Sequence, residues 1–254
     1  MSLVLTARDA GVFRMQMNRP EKKNAITRAM YAALADALAE AAADPATRVL
    51  LIAGAPGVFT AGNDLGDFLD DPPRDESAPV FRFLRGISTF EKPVVAAVAG
   101  AAVGIGTTML LHCDFVYAAE DARFALPFVN LGLCPEAASS LLLPLAAGYH
   151  RAAEMLLLGE PFDARRAESC DIVTQVVPAD QLEDTALGTA RKLAALPGAA
   201  LRVSKALMKR TLAPQIEEAM AAERDAFGAR LRSPEAKEAF NAFFEHRKPD
   251  FSRF

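Results

Sequence analysis

The sequence predicts an α/β protein whose core alternates strands with helices and whose C-terminal part is mostly helical. Three observations carry this. Apolar runs of strand length, such as residues 49–53, recur between segments of helical periodicity in the first half of the chain. From Glu136 onward helical spacing dominates, with one strand-like exception at residues 173–177. The 254 residues, 52% hydrophobic and 24% charged, supply the core of one large domain or of one domain with a helical appendage.

The elements follow in order. Phe13, Met15 and Met17 alternate with Arg14 and Gln16, the period of a half-buried strand, and Asn18-Arg19-Pro20 ends it. After the loop EKKN, a helix is marked by Ile26, Met30, Ala33, Leu34, Ala37, Leu38 and Ala41, with Thr27 as its cap and Asp44-Pro45 as its stop. Residues 49–53 form a short apolar strand, and the segment VFTAGNDLGDF after it is rich in turn formers. Residues 70–76, charged and proline-bearing, cannot bury themselves and are expected as a mobile surface segment or a linker. A helix follows at 80–90.

Residues 94–111 carry no charge and are long enough to resemble a membrane span. Gly100, Gly104 and Gly106 interrupt the run, and Lys92-Pro93 and Asp114 flank it, so a buried strand, a turn and a buried helix are expected instead. Strands at 115–118 and 123–126 follow, then helices at 137–146, 152–158, 164–170, 181–196, 199–209, 214–231 and 234–247. The last helices are too few to enclose a core and should pack on the first part of the chain or on a neighbouring subunit.

Composition narrows the function. Lys plus Arg number 28 against 32 Asp plus Glu, a net charge of −4, which offers no field to attract nucleic acid or an anionic membrane. Cys113, Cys134 and Cys170 form no CxxC pair and are expected as reduced thiols. No secretory or C-terminal address signal is evident, so a soluble cytoplasmic protein is expected. His112, His150 and His246 have no partner at metal-ligand spacing, and Ser139-Ser140 lacks a GxSxG elbow, so neither a metal centre nor a serine triad is expected.

Two glycine turns remain. VGIGTTM fits neither GxGxxG nor a Walker A loop, but Gly104-Ile105-Gly106 offers free N–H groups at a helix start, an anion or oxyanion site, or else only close packing. Ala61-Gly62-Asn63-Asp64 is a second such turn. Two N–H groups from separate turns, converging on one carbonyl oxygen, stabilise an enolate by several kcal/mol, since loss of one donor typically costs about 3 kcal/mol.

FTAGNDL at 59–65 and PVVAAVAGAAVGIGTTMLLHCDFVYA at 93–118, with the opening RPEKKNAIT at 19–27 and the ending FFEHRKPDF at 243–251, resemble the crotonase, or enoyl-CoA hydratase/isomerase, superfamily over nearly the whole chain. The resemblance implies a crotonase-like spiral of ββα units over residues 1–195 and a helical trimerisation region at 196–254, in a homotrimer or dimer of trimers. It implies an acyl-CoA substrate, no metal or redox cofactor, and an oxyanion hole from the N–H groups of Asn63 and Ile105, with Gly104 in the second turn. Ala61 falls where the family bonds the adenine through backbone, and Gly62, Asp64 and Leu65 line the same pocket. Arg247 and Lys248 occupy the region where members place a cation near the CoA phosphates.

The departures select among reactions. Where a hydratase of this family has two glutamates, the chain reads Thr108 and Phe128. Instead PFVNLGLCPEAASSLLLP at 127–144 is similar to the PF…LGL.PEG.SS pattern of the peroxisomal-type Δ3,Δ2-enoyl-CoA isomerases, in which the glutamate after proline is the catalytic base. That places the base at Glu136, with Ala137 in place of the usual glycine. Read from the residues alone, Pro135-Glu136 also suits the first turn of a helix. A hydratase-like or other lyase of the family, and a non-catalytic acyl-CoA-binding scaffold, are the rival readings.

Overall fold

The computed structural model describes residues 2–70 and 76–254. Chain entry is β1 (Val4–Asp9), antiparallel to β2 (Val12–Met17) in a hairpin. The sequence reading did not anticipate β1. Its residues after Val4 are exposed, so no apolar alternation marks it. Then come α1 (Arg28–Ala43), β3 (Val49–Ala53), α2 (Leu65–Asp70), α3 (Pro79–Ser88), β4 (Val94–Val98) and β5 (Ala101–Val103). Next follow α4 (Ile105–Thr108), β6 (Phe115–Ala119), β7 (Arg123–Ala125), α5 (Ser139–Ala147), α6 (Tyr149–Ala153), β8 (Phe162–Asp163), α7 (Ala164–Ser169), β9 (Gln175–Val177) and α8 (Leu182–Ala195). The chain ends in α9 (Gly198–Lys209), α10 (Ala213–Leu231) and α11 (Pro234–Phe244). Of the segment expected to be mobile, residues 71–75 lie outside the described residues.

Two sheets organise the core. One runs β1-β2-β3-β4-β6-β9, parallel from β2 onward, and the other runs β5-β7-β8. Consecutive strands β4 and β5 enter different sheets, as do β6 and β7, so the chain winds forward in turns of two strands. The strand β3 is apolar at every position because both faces of the large sheet are covered. Leu50 and Ile52 pack with Met30, Leu34 and Leu38 of α1 and Phe83 and Ile87 of α3, while Val49, Leu51 and Ala53 pack with Leu182, Ala186 and Ala190 of α8.

The expected cap of α1 is present: Thr27 Oγ1 accepts from Met30 N–H at 3.2 Å. Asp44 ends the helix, its carboxylate accepting from Ala46 N–H at 2.9 Å and from the Thr47 hydroxyl at 2.7 Å. Three expectations need correction. The glycine-cut run 94–111 holds two strands, β4 and β5, before its buried helix, α4 continued by a 3-10 turn at Met109–His112, because Gly100 at φ 60 redirects the chain into the second sheet. The helix expected from Ala137 begins at Ser139, because Ala137 and Ala138 are both left-handed, at φ 59 and 56. The last helix stops at Phe244, three residues short of Arg247. The chain reverses there through His246 at φ 55.

Two of the C-terminal helices, α10 and α11, pack on their own chain. Ala236 and Phe240 of α11 enter the main core, with Met220, Phe227 and Leu231 of α10 against it. All three cysteines are free thiols. No described helix is long and apolar enough to cross a membrane.

Candidate active site

The two glycine turns lie side by side. Thr60 and Ala102 form a parallel bridge, with Thr60 N–H donating to Ala101 O at 2.8 Å and Val103 N–H donating to Thr60 O at 3.0 Å. Three residues beyond each member of that bridge stand Asn63 and Ile105, so the two turns that carry them leave from one bridged pair. Contact continues into the turn, where a methyl group on Gly62 (φ +89) would lie 2.8 Å from the Val103 carbonyl oxygen. Gly104 adopts φ 55 and ψ −118, a combination closed to residues with a Cβ, and it is there that β5 breaks into α4. Among the described residues, neither the Asn63 N–H nor the Ile105 N–H has an acceptor in the protein.

The RPEKKNAIT segment braces this arrangement. Buried Asn24 donates to Phe59 O at 2.9 Å, Thr60 Oγ1 donates to Asn24 O at 2.7 Å, and Ile26 N–H donates to Gly62 O at 2.8 Å. Ala61 is tied down through its N–H to Lys23 O at 2.9 Å. Asp64 accepts from Arg19 at 2.7 Å. Burial opposes its ionisation, but this bond and the Asp67 N–H hold its carboxyl below the usual carboxylate range. Leu65 opens α2 and packs on the main core. On the α1 side, the Tyr31 hydroxyl donates to Asn63 Oδ1 at 2.5 Å.

Asn63, Glu136 and Ala137 share the wall of a cavity of about 1330 Å³, with Phe68, Phe81, Leu84, Met220 and Phe227 on its apolar side. Ile105 is not among the lining residues, and its side chain is buried in the core. Glu136 is half-buried, and the Thr108 hydroxyl donates to its Oε1. Thr108 stands one turn after Ile105 in α4, about 4.5 Å along the helix axis, so this bond sets the carboxyl group beside the second glycine turn. Burial lifts the Glu136 pKa from the ordinary carboxylate range to about 8; the Thr108 bond pulls it down and the Glu223 charge pushes it up. The same Glu136 charge adds to burial in raising the Tyr31 hydroxyl well above its usual range.

Thr108 and Phe128, where hydratases carry acids, have other uses here. Thr108 supports Glu136, and buried Phe128 lays its ring edge against the Gly104 turn, 4.0 Å from where a Cβ would stand. His112, expected as a bystander, donates from Nε2 to Ala137 O at 2.8 Å, and burial lowers its pKa to about 4, keeping it neutral. Glu223 of α10 accepts from the Ala138 and Ser140 amides. Sequence reasoning missed Tyr31, His112 and Glu223, because their partners stand 25 or more residues away along the chain. Arg247 and Lys248 are exposed and do not line the cavity, and Arg247 is paired with Glu238 and Glu245. Among the described residues, no group of three His, Cys, Asp or Glu could hold a metal ion.

The sequence model described as enoyl-CoA hydratase/isomerase matches residues 7–253. The chain belongs to the enoyl-CoA hydratase/isomerase family. It is 36% identical over 259 residues to the 1,2-epoxyphenylacetyl-CoA isomerase of Escherichia coli (strain K12), covering 99% of each chain. To the enoyl-CoA delta isomerase 2 of Rattus norvegicus it is 36% identical over 252 residues, covering 97% of this chain and 64% of that one. Among solved structures, an enoyl-CoA hydratase/isomerase from Pseudoalteromonas atlantica T6c superposes with a TM-score of 0.94 at 43% identity, covering 99% of this chain and 100% of that one. The crotonase fold expected from the motifs is thereby shown, and membership in this enzyme family with it. The family description spans hydration and isomerisation alike.

Proposed function

We propose that the protein is an enoyl-CoA Δ-isomerase, moving the double bond of a 3-enoyl-CoA to the 2 position by a single-glutamate proton shuttle. The observation that carries this reading is Glu136 on the cavity wall, bonded to Thr108, with no acid at the two positions where a hydratase needs them. In this scheme the thioester carbonyl oxygen accepts from the Asn63 and Ile105 N–H groups, which withdraws charge and acidifies C2. Glu136, ionised, takes a C2 proton; the electron pair spreads into a dienolate whose negative oxygen rests in the two donors. The Glu136 carboxylic acid then returns the proton at C4, and the double bond closes between C2 and C3. One group acts as base and then as acid, and nothing enters or leaves, so one carboxyl suffices. A pKa near 8 supports both half-steps, because the group is basic enough to take the proton and acidic enough to give it back at neutral pH.

The acyl chain would lie along the apolar wall formed by α2, α3 and α10. Ala61 backbone, Gly62, Asp64 and Leu65 would meet the CoA moiety, and Arg247 and Lys248 its phosphates. Val203, Leu207 and Met208, exposed on α9, support assembly with other copies as a homotrimer or dimer of trimers. The test is incubation of the pure protein with 3-enoyl-CoAs of several chain lengths, reading the absorbance of the conjugated 2-enoyl thioester. Turnover abolished in Glu136→Gln supports the reading. Hydration of 2-enoyl-CoA at a comparable rate favours the lyase, and CoA-ester binding without turnover favours the scaffold.

A further inference from the structure

We propose that Glu223, on α10, is a positioning residue that holds the loop bearing Glu136 in its working conformation, a role that rests on Glu136 being the base. The loop needs holding. Immediately after Glu136 the chain passes through Ala137 and Ala138, both left-handed at φ 59 and 56, a conformation in which the Cβ crowds the backbone. Two such alanines in succession persist only where the surroundings fix them. α5 then begins without a side-chain cap of its own, since Ala138 at its N-cap has no oxygen to offer.

Glu223 supplies what the local sequence lacks. Its Oε2 accepts from Ala138 N–H at 2.6 Å, and its Oε1 accepts from Ser140 N–H at 2.9 Å and from the Ser140 hydroxyl at 2.5 Å. The side chain is 7% exposed and forms no ion pair among the described residues, so these donors at the start of α5 are its compensation for burial. Beside these, His112 Nε2 holds Ala137 O at 2.8 Å, and the Thr108 hydroxyl holds Glu136 itself. The five residues from Glu136 to Ser140 are thus gripped from α10, from the turn around His112 and from α4.

Of the titratable groups around the loop, Glu223 acts on Glu136, and Glu136 in turn raises Tyr31 and Cys134; Arg230 acts on Cys134, Lys205 and Lys209 act on His112, and burial raises Glu223 itself against the pull of its Ser140 and Ala138 bonds. Glu223 is the one whose charge raises the Glu136 pKa, after burial has done most. Loss of that charge therefore moves the ionisation of Glu136 to lower pH, while loss of the grip lowers the rate at every pH. The two effects are separable by substitution. Glu223→Gln removes the charge and one acceptor; Glu223→Asp keeps the charge and shortens the reach.

The experiment measures kcat and KM for 3-enoyl-CoA conversion across about two pH units on either side of 8, for wild type, Glu136→Gln, Glu223→Gln and Glu223→Asp. Both Glu223 variants are expected to lose about 10- to 100-fold in kcat with KM within about twofold, the response to a base displaced by a fraction of an ångström to about 1 Å. The acid limb of the profile should move down in Glu223→Gln and stay in place in Glu223→Asp. Adding Ala138→Gly to either variant should restore a large part of kcat, because glycine adopts the left-handed turn without the grip. Wild-type kcat and an unmoved limb in Glu223→Gln, with Glu136→Gln inactive, overturn the role of Glu223 and leave the base in place. If Glu223→Gln does not fold, wild-type kcat in Glu223→Asp overturns it equally. An active Glu136→Gln instead removes the base reading on which the proposal stands.

Discussion

Thr108→Val tests the link between the second glycine turn and the base. Valine keeps the shape of threonine and deletes the hydroxyl that donates to Glu136 Oε1. A hydrogen bond to a charged group contributes about 1.5–3 kcal/mol, and one pKa unit is about 1.4 kcal/mol, so the Glu136 pKa of about 8 should rise by about one to two units. At pH 7 the ionised fraction then falls from about one in ten to about one in a hundred or less, and kcat/KM with it, by about tenfold or more. Well above the shifted pKa the variant should approach the wild-type rate, because both carboxyl groups are ionised there. The assay is kcat/KM for conversion of a 3-enoyl-CoA as a function of pH, which reports the ionisation of the free enzyme. An acid limb that stays in place or moves to lower pH refutes the reasoning, since it would mean that the hydroxyl does not serve the carboxylate of the base.

Other expectations follow from the same geometry. Glu136→Gln should cut turnover by more than about a thousandfold with substrate affinity within about twofold, read by steady-state kinetics and by titration with a CoA thioester. The same variant tests stability: a carboxyl whose folded pKa lies above its unfolded one stabilises the fold below about pH 4 and loses that contribution as pH rises through about 8. Glu136→Gln should therefore melt at about the wild-type temperature at pH 4, where that contribution is still present, and several degrees higher at pH 9, where wild type has lost it. Tyr31→Phe removes the bond to Asn63 Oδ1, and about 1 kcal/mol for a lost hydrogen bond predicts about a fivefold fall in kcat/KM at unchanged pH dependence. Gly104→Ala forces a Cβ into φ 55 and ψ −118; the turn should shift, the Ile105 donor should be lost, and kcat should fall about 100-fold or more.

Much of the site was legible in the sequence, and the limits of that legibility are physical. Gly62 and Gly104 could be read because a turn needing positive φ admits few residues, and Glu136 could be read through the motif that carries it. The α1 helix, its Thr27 cap and the strand at 49–53 were legible because their signals are local: periodicity, a capping oxygen and an uninterrupted apolar run. Strand β1, pairing through its backbone with one buried side chain, left no pattern to read. The helix start at Ser139 was misplaced because alanine is the best helix former, and only contacts from elsewhere hold Ala137 and Ala138 out of the helix. Arg247, expected near the CoA phosphates from the resemblance, is engaged by Glu238, a partner that only the reversal after α11 brings near.

By itself, then, the sequence determined the strand and helix signals, the two glycine turns, the lone acid and the family to which they belong, because each depends on a residue's own steric and chemical character or on neighbours within a turn of chain. Tertiary structure alone decided that the turns bearing Asn63 and Ile105 leave from one bridged pair, that Thr108 serves Glu136, and that Tyr31, His112 and Glu223 hold the pieces in place. Those are relations between groups as far apart in sequence as Ala138 and Glu223, and a hydrogen bond responds to distance in space, to which position along the chain is no guide.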